Sequence, residues 1–227
     1  MFLSVLAGGL LLVPGAGSHA AGPDVLAQDL PQPLPVEGKE IAFVIEDGPL
    51  PQTTPLLLDA LKKLGMKATF AVTGKNVLAN PEIARRIVAE GHELANHTFS
   101  HPNLDTLNPD DLVKEIRAAE QAILRVTGVR PRCFRATDGE LSVSLRGEVR
   151  QEGYEVLEYT LDSEDWRNPP PGQVSRVILM GVTPGSVILA HDSFPKSVKE
   201  MPAVFDALAK RGFLLCTVSQ LRSLASH

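Results

Sequence analysis

The sequence predicts an α/β fold with a mainly parallel sheet, curled into a distorted (β/α) barrel of about seven strands. Three observations carry this. Short apolar runs alternate with helix-period segments from residue 39 onward. About seven such runs are separated by helices, which favours a barrel over an open sheet. Clusters of ionisable residues stand at the carboxyl ends of the runs, where parallel barrels gather their active residues.

The elements follow in order. Met1 to Val13 is almost wholly apolar, and Ser18 and Ala20 supply small residues before a cleavage point, so residues 1–20 read as an export signal. Its start lacks Lys and Arg, and the run is too short for a spanning helix of ~20 residues. Residues 21–38, with Pro31, Pro33 and Pro35 alternating, read as an extended arm ahead of a domain over 39–227. Ile41 to Ile45 is the first strand. Thr54 reads as a helix cap with Pro55 at the first helical position, and Gly65 closes that helix. Lys67 to Val72 is a strand; Asn80 and Pro81 open a helix ending at Gly91; His92 to Ala95 is a short strand. The longest helix, 109–127, is opened by Pro109 and stopped by Gly128, with Leu112, Ile116, Ala119 and Ile123 as its apolar stripe. Cys133 to Arg135 is strand-like, and a helix near 142–151 follows. Glu155 to Leu161, Ser186 to Leu189 and Phe213 to Val218 are further strands, separated by helices near 173–181 and 198–211.

Composition narrows the function. The 227 residues are 44% hydrophobic and 22% charged, which excludes a disordered, collagen-like or multi-span membrane chain. A net charge of −5 with no run of Lys or Arg argues against nucleic acid as a partner. Two cysteines, Cys133 and Cys216, are too few for a disulfide or zinc-finger framework. Export would permit a bridge between them, but their apolar contexts favour two free buried thiols.

The chemistry lies at the strand ends. The first strand runs into Glu46-Asp47-Gly48-Pro49, which in isolation reads as a turn. His97 and His101, four apart, can converge on one metal, although that spacing alone recurs by chance. Arg135 ends another strand, Asp162 to Trp166 a fourth, and His191-Asp192 a fifth. Five such clusters on different strands are not explained by solubility. No GxGxxG follows the first strand, which disfavours a dinucleotide-binding dehydrogenase.

Taken together, the motifs resemble those of polysaccharide deacetylases of the NodB-homology type, carbohydrate esterase family 4. Val44-Ile45-Glu46-Asp47-Gly48-Pro49 is similar to the first family motif, and His97-Thr98-Phe99-Ser100-His101 to the second. Arg135-Ala136-Thr137-Asp138-Gly139, Asp162-Ser163-Glu164-Asp165-Trp166 and Leu189-Ala190-His191 are similar to the third, fourth and fifth. The resemblance implies a divalent metal, Zn²⁺ or another first-row ion such as Co²⁺ or Ni²⁺, held by Asp47, His97 and His101. It implies Glu46 as general base, oriented by Arg135, and His191 as general acid, held by Asp165. Trp166 and Leu189 would wall an acetyl pocket, and the main-chain N–H of Asp138 would serve the oxyanion. The implied partner is an acetylated polysaccharide, met after export to the periplasm, cell envelope or medium.

Two departures stand out. The family's base is aspartate, and Glu46 is longer by one methylene, ~1.5 Å. The third motif lacks both prolines and its aromatic residue, and Asp138 brings a carboxylate instead. Three readings follow: a metal-dependent deacetylase, a non-catalytic glycan- or metal-binding module on the same fold, and an unrelated metal-dependent amidohydrolase on a barrel.

Overall fold

The computed structural model describes residues 30–226, apart from 138 and 140. The export signal, the first part of the arm and the main chain of Asp138 lie outside the described residues.

The described residues form one sheet of eight strands. These are β1 (Glu40–Glu46), β2 (Thr69–Val72), β3 (Glu93–Asn96), β4 (Cys133–Phe134), β5 (Glu155–Val156), β6 (Leu161–Asp162), β7 (Val187–His191) and β8 (Leu214–Cys216). Seven follow the order β5-β4-β3-β2-β1-β7-β6, and β8 pairs with the first half of β1. Every pairing is parallel. The outermost strands, β5 and β6, are joined by residues 157–160 alone, so the sheet must curl until its two edges nearly meet. This is the distorted barrel that the alternation predicts.

The curl divides the core. On β1, Ile41, Phe43 and Ile45 face outward into a helix-covered layer with Phe70, Leu58 and Phe205. Phe43 meets Phe205 edge-on, with ring centroids 5.2 Å apart. Ala42 and Val44 alternate to the other face and join Ala71, Ala95, Cys133, Leu157 and Val187 in the barrel interior. The strand residues there are Ala, Val and Cys, smaller than the Phe, Ile and Leu side chains of the outer layer. Both faces of β1 are therefore covered, which explains its unbroken apolar sequence.

The helices are α1 (Thr54–Leu64), α2 (Gly74–Ala79), α3 (Pro81–Ala89), α4 (Pro109–Thr127), α5 (Val143–Gln151), α6 (Gln173–Gly181), α7 (Pro195–Val198), α8 (Met201–Lys210) and α9 (Val218–Leu224). Helix α4 matches its expected bounds, with the Asn108 side chain accepting the Asp111 N–H at 2.9 Å.

Several expectations are corrected. Thr53, not Thr54, occupies the cap position of α1. The Thr54 hydroxyl instead donates to Asp192 and accepts the Leu50 N–H at 2.6 Å. The single strand expected over Glu155 to Leu161 is two strands, because β5 pairs with β4 and β6 with β7 on opposite edges. The last strand stops at Cys216, since Thr217 and Gln220 form a capping box that starts α9. The helix expected near 198–211 is α8, which starts at Met201; the short α7 precedes it, and α2 is an additional helix capped by Thr73. Cys133 and Cys216 are free thiols.

The described part of the arm is anchored. The Leu34 N–H donates to the Gly185 carbonyl at 2.9 Å, and Leu34 and Val36 pack against the interior cluster. Gly185 has φ +79°, and a Cβ there would overlap the Leu34 carbonyl, so the arm fits because residue 185 has no side chain.

Candidate active site

The in-register parallel strands bring their carboxyl ends to one rim. Glu46 pairs with His191 and Ala71, Val72 with Asn96, and Asn96 with Phe134, directly before Arg135. Asp165 lies in a 3₁₀ turn, Asp165–Arg167, just after β6. Strands that share no sequence neighbourhood thus deliver the predicted groups to one place.

Asp47 directly follows β1 in the left-handed conformation, φ +74°. Its main-chain carbonyl accepts the Asn76 side-chain N–H at 2.6 Å, which fixes this turn. Its Oδ1 lies 3.6 Å from His97 Nε2 and 3.4 Å from His101 Nε2, while its Oδ2 accepts the Ser193 hydroxyl. His97 is fully buried. Its Nδ1 lies 2.9 Å from the Arg135 carbonyl oxygen. A carbonyl can only accept, so Nδ1 carries the proton and the Nε2 lone pair faces Asp47. Asp47 Oδ1 and His97 Nε2 are buried with no hydrogen-bond partner. Buried polar atoms without partners are costly unless something else binds them. One ligand atom each from Asp47, His97 and His101 lies within 4.8 Å of the others. One carboxylate and two imidazoles at such spacing suit a divalent first-row ion with further positions left open.

Beside this triad, Glu46 Oε1 accepts the Arg135 Nε–H at 2.6 Å. Glu46 Oε2 lies 3.5 Å from His97 Nε2 and 3.6 Å from His191 Nε2. Burial opposes ionisation of Glu46, but the Arg135 charge and hydrogen bond, with the two histidines, hold its pKa below the ordinary value. For Asp47, burial is likewise outweighed by His97, His191 and the Ser193 hydroxyl, and its carboxyl sits well below the usual range. Arg135 stacks its guanidinium on the Tyr159 ring at 4.9 Å.

His191 is held twice by Asp165. Its ring Nδ1 donates to Oδ1 at 2.7 Å, and its main-chain N–H donates to Oδ2 at 2.8 Å. Burial disfavours the imidazolium, but the Asp165 hydrogen bond and the Glu46 charge raise its pKa to about 9. Leu189 is two residues earlier on β7 and, by alternation, on the same face as His191. The Trp166 indole N–H donates to Asp162 Oδ2 at 3.1 Å, and the Arg167 guanidinium lies 4.5 Å over its ring.

The rim therefore unites Glu46, Asp47, His97, His101, Arg135, Asp165 and His191, with Leu189 and Trp166 on adjoining segments. Ser193 and Asn76, which orient Asp47, escaped the sequence reading. Each is a single common polar residue, with no spacing to mark it.

The family model of polysaccharide deacetylases matches residues 34–157. The chain belongs to the polysaccharide deacetylase family. Peptidoglycan-N-acetylglucosamine deacetylase PgdA of Listeria monocytogenes is 30% identical over 183 residues, covering 81% of this chain and 39% of that protein. The deacetylase-family chain described here thus spans about two fifths of that relative. A chitooligosaccharide deacetylase of Bradyrhizobium sp. is 31% identical over 198 residues, covering 81% of this chain and 90% of that protein. The structure of peptidoglycan deacetylase PdaC from Bacillus subtilis is similar with a TM-score of 0.80 at 33% identity, covering 84% of this chain and 93% of that one.

Proposed function

We propose that this family member is a metal-dependent hydrolase that removes acetyl groups from an N-acetylated or O-acetylated polysaccharide of the cell envelope or its surroundings, reached by export. The observation that carries the reading is the pair of unpartnered buried atoms, Asp47 Oδ1 and His97 Nε2, 3.6 Å apart beside Glu46, whose pKa Arg135 helps hold down, and His191, whose pKa Asp165 helps raise.

Asp47, His97 and His101 would hold the ion, with Zn²⁺ best matched to the donor set and Co²⁺ or Ni²⁺ as alternatives. A divalent ion there supplies Lewis acidity to a water and to the acetyl carbonyl. Glu46 Oε2 accepts the proton of the attacking water, while Arg135 holds Oε1 and keeps the carboxylate ionised at neutral pH. His191 Nε2 gives its proton to the departing amine or alcohol oxygen, and Asp165 fixes the tautomer and supports the charge. The nucleophilic oxygen leaves in acetate. Leu189 and Trp166 are assigned to the acetyl methyl, and the Asp138 N–H to the oxyanion.

A second reading, a weakened module that binds glycan or metal, draws on Glu46 and on the altered segment Arg135 to Gly139. Acetate release from chitin oligomers, peptidoglycan, poly-N-acetylglucosamine and acetylxylan, measured with Zn²⁺-loaded protein, decides between them. Release from any of these supports the hydrolase; glycan binding without release supports the module.

A further inference from the structure

The segment joining the two histidine ligands has no regular structure, and Thr98 and His101 are both left-handed, with φ +63° and +59°. Residues other than glycine hold that conformation only when their surroundings impose it. Part of the restraint is local: Asn96 Oδ1 accepts the Thr98 N–H at 3.0 Å, and Thr98 Oγ1 accepts the His101 N–H at 3.1 Å. Part comes from α2, where the N–H groups of Gly74 and Lys75 donate to the Thr98 and Phe99 carbonyls at 3.0 and 2.9 Å. A Cβ on Gly74 would strike the Phe99 ring at 2.5 Å and the Ala119 backbone at 2.9 Å, so the segment is wedged between α2 and α4.

The middle of the segment is held by one side chain from α4. Glu115 Oε2 accepts the Phe99 N–H at 2.9 Å and the Ser100 N–H at 2.8 Å, and Oε1 accepts the Ser100 hydroxyl at 2.9 Å. A carboxylate suits three converging donors because it is acceptor-only.

We infer that Glu115 is a positioning residue for the metal site: by gathering the donors of Phe99 and Ser100 it fixes the separation of His97 and His101 and so sets metal affinity. The inference rests on the proposed assignment of His97 and His101 as ligands. Glu115 touches neither histidine ring and acts through the main chain between them. Replacing it with glutamine keeps the shape but exchanges a charged acceptor for a neutral amide oxygen, which weakens the two main-chain hydrogen bonds, and turns an amide N–H toward the Ser100 hydroxyl.

The test is the Zn²⁺ dissociation constant of purified full-length protein, measured by competition with a chromophoric chelator, alongside the melting temperature of the metal-free form. Glu115→Gln is expected to weaken Zn²⁺ binding about tenfold or more, the scale of outer contacts that orient metal ligands. Ser100→Ala, which removes one donor, is expected to weaken it less. Both should melt near the wild type without metal. A folded Glu115→Gln with wild-type affinity overturns the inference, as does a lowered melting temperature with affinity unchanged. If Glu115→Gln fails to fold, unchanged affinity in Ser100→Ala overturns it. A wild type that binds no Zn²⁺ overturns the ligand assignment itself, a result distinct from failure of the variants alone.

Discussion

The carbonyl oxygen of Arg135 accepts the His97 Nδ1–H at 2.9 Å, while the side chain of the same Arg135 donates from Nε to Glu46 at 2.6 Å. One residue therefore sets the tautomer of a candidate ligand and the charge of the candidate base. The backbone contact survives substitution of the side chain, so the two roles are separable. Arg135→Met should leave Zn²⁺ affinity within a few-fold of wild type while lowering turnover by about 100-fold or more, the scale of a lost or misplaced general base. Its acid limb should move to higher pH, because Glu46 loses the cation that holds its pKa down. A variant with wild-type turnover and an unmoved acid limb would detach Arg135 from the base.

Removing a ligand should separate chemistry from folding. His97→Ala and His101→Ala are each expected to abolish Zn²⁺ binding and deacetylation while the metal-free melting temperature stays within a few degrees of wild type. The reason is that β1, β3 and β7 are already fixed by the two apolar clusters around the sheet. Titration calorimetry and melting curves check this, and persistent activity in both variants would exclude a catalytic role for the bound ion.

Glu46 tests whether the longer base is an adaptation. Glu46→Gln keeps the shape and loses the proton acceptor, so turnover should fall by about 100-fold or more with metal affinity retained. Glu46→Asp draws the carboxylate back by ~1.5 Å. Because Oε1 is tied to Arg135 and Oε2 lies between two imidazoles, Asp is expected to lower turnover about 10–100-fold. An increase in rate with Asp would instead mark Glu46 as a sign of decay.

His191 should limit the alkaline side. Its pKa is raised to about 9, so the acid remains protonated from neutral pH until the pH passes through that value. The kcat profile is expected to stay level to about pH 8 and then fall. Asp165→Asn removes the main force raising that pKa and should shift the alkaline limb down by at least one pH unit, and His191→Ala should lower turnover with Zn²⁺ affinity nearly intact. Loss of metal in His191→Ala would mean the ligands are misassigned.

Away from the site, His92 gives the stability a pH dependence. Burial, with Lys67 nearby, lowers its pKa to about 4, and its Nδ1 accepts the Ala68 N–H at 3.2 Å only while unprotonated. Between pH 6.5 and 4 the unfolded chain binds a proton that the folded chain refuses. Stability should therefore fall as the pH drops through that window, by about 2–3 kcal/mol. Urea unfolding of wild type and His92→Gln checks this; equal slopes in the two proteins would reject the assignment.

The strand ends were readable because a buried strand written as Ile41-Ala42-Phe43-Val44-Ile45 and then broken by Glu46-Asp47 is a strong contrast. The helix 109–127 was readable because Pro109, Gly128 and a regular stripe agree. The partition of residues 155–162 was not, since which edge a two-residue strand joins depends on the curl of the whole sheet. The supports were hidden for a related reason. Ser193, Asn76 and Glu115 are lone polar residues with no motif around them, and only the folded chain shows that they aim at Asp47 or at the segment between the histidines.

The anchored arm bears on how the domain can be mounted. Leu34 docks beside Gly185, just ahead of β7, and α9 adds Val218 and Leu221 to the same floor of the barrel. The ionisable rim lies at the other ends of the strands, roughly 20 Å away along the seven residues of β1 at ~3.3 Å per residue. A tether or neighbouring module joined through the arm would hold the domain by its base, with the ionisable rim at the far ends of the strands. Whatever approaches the rim would then reach it from the side opposite the attachment.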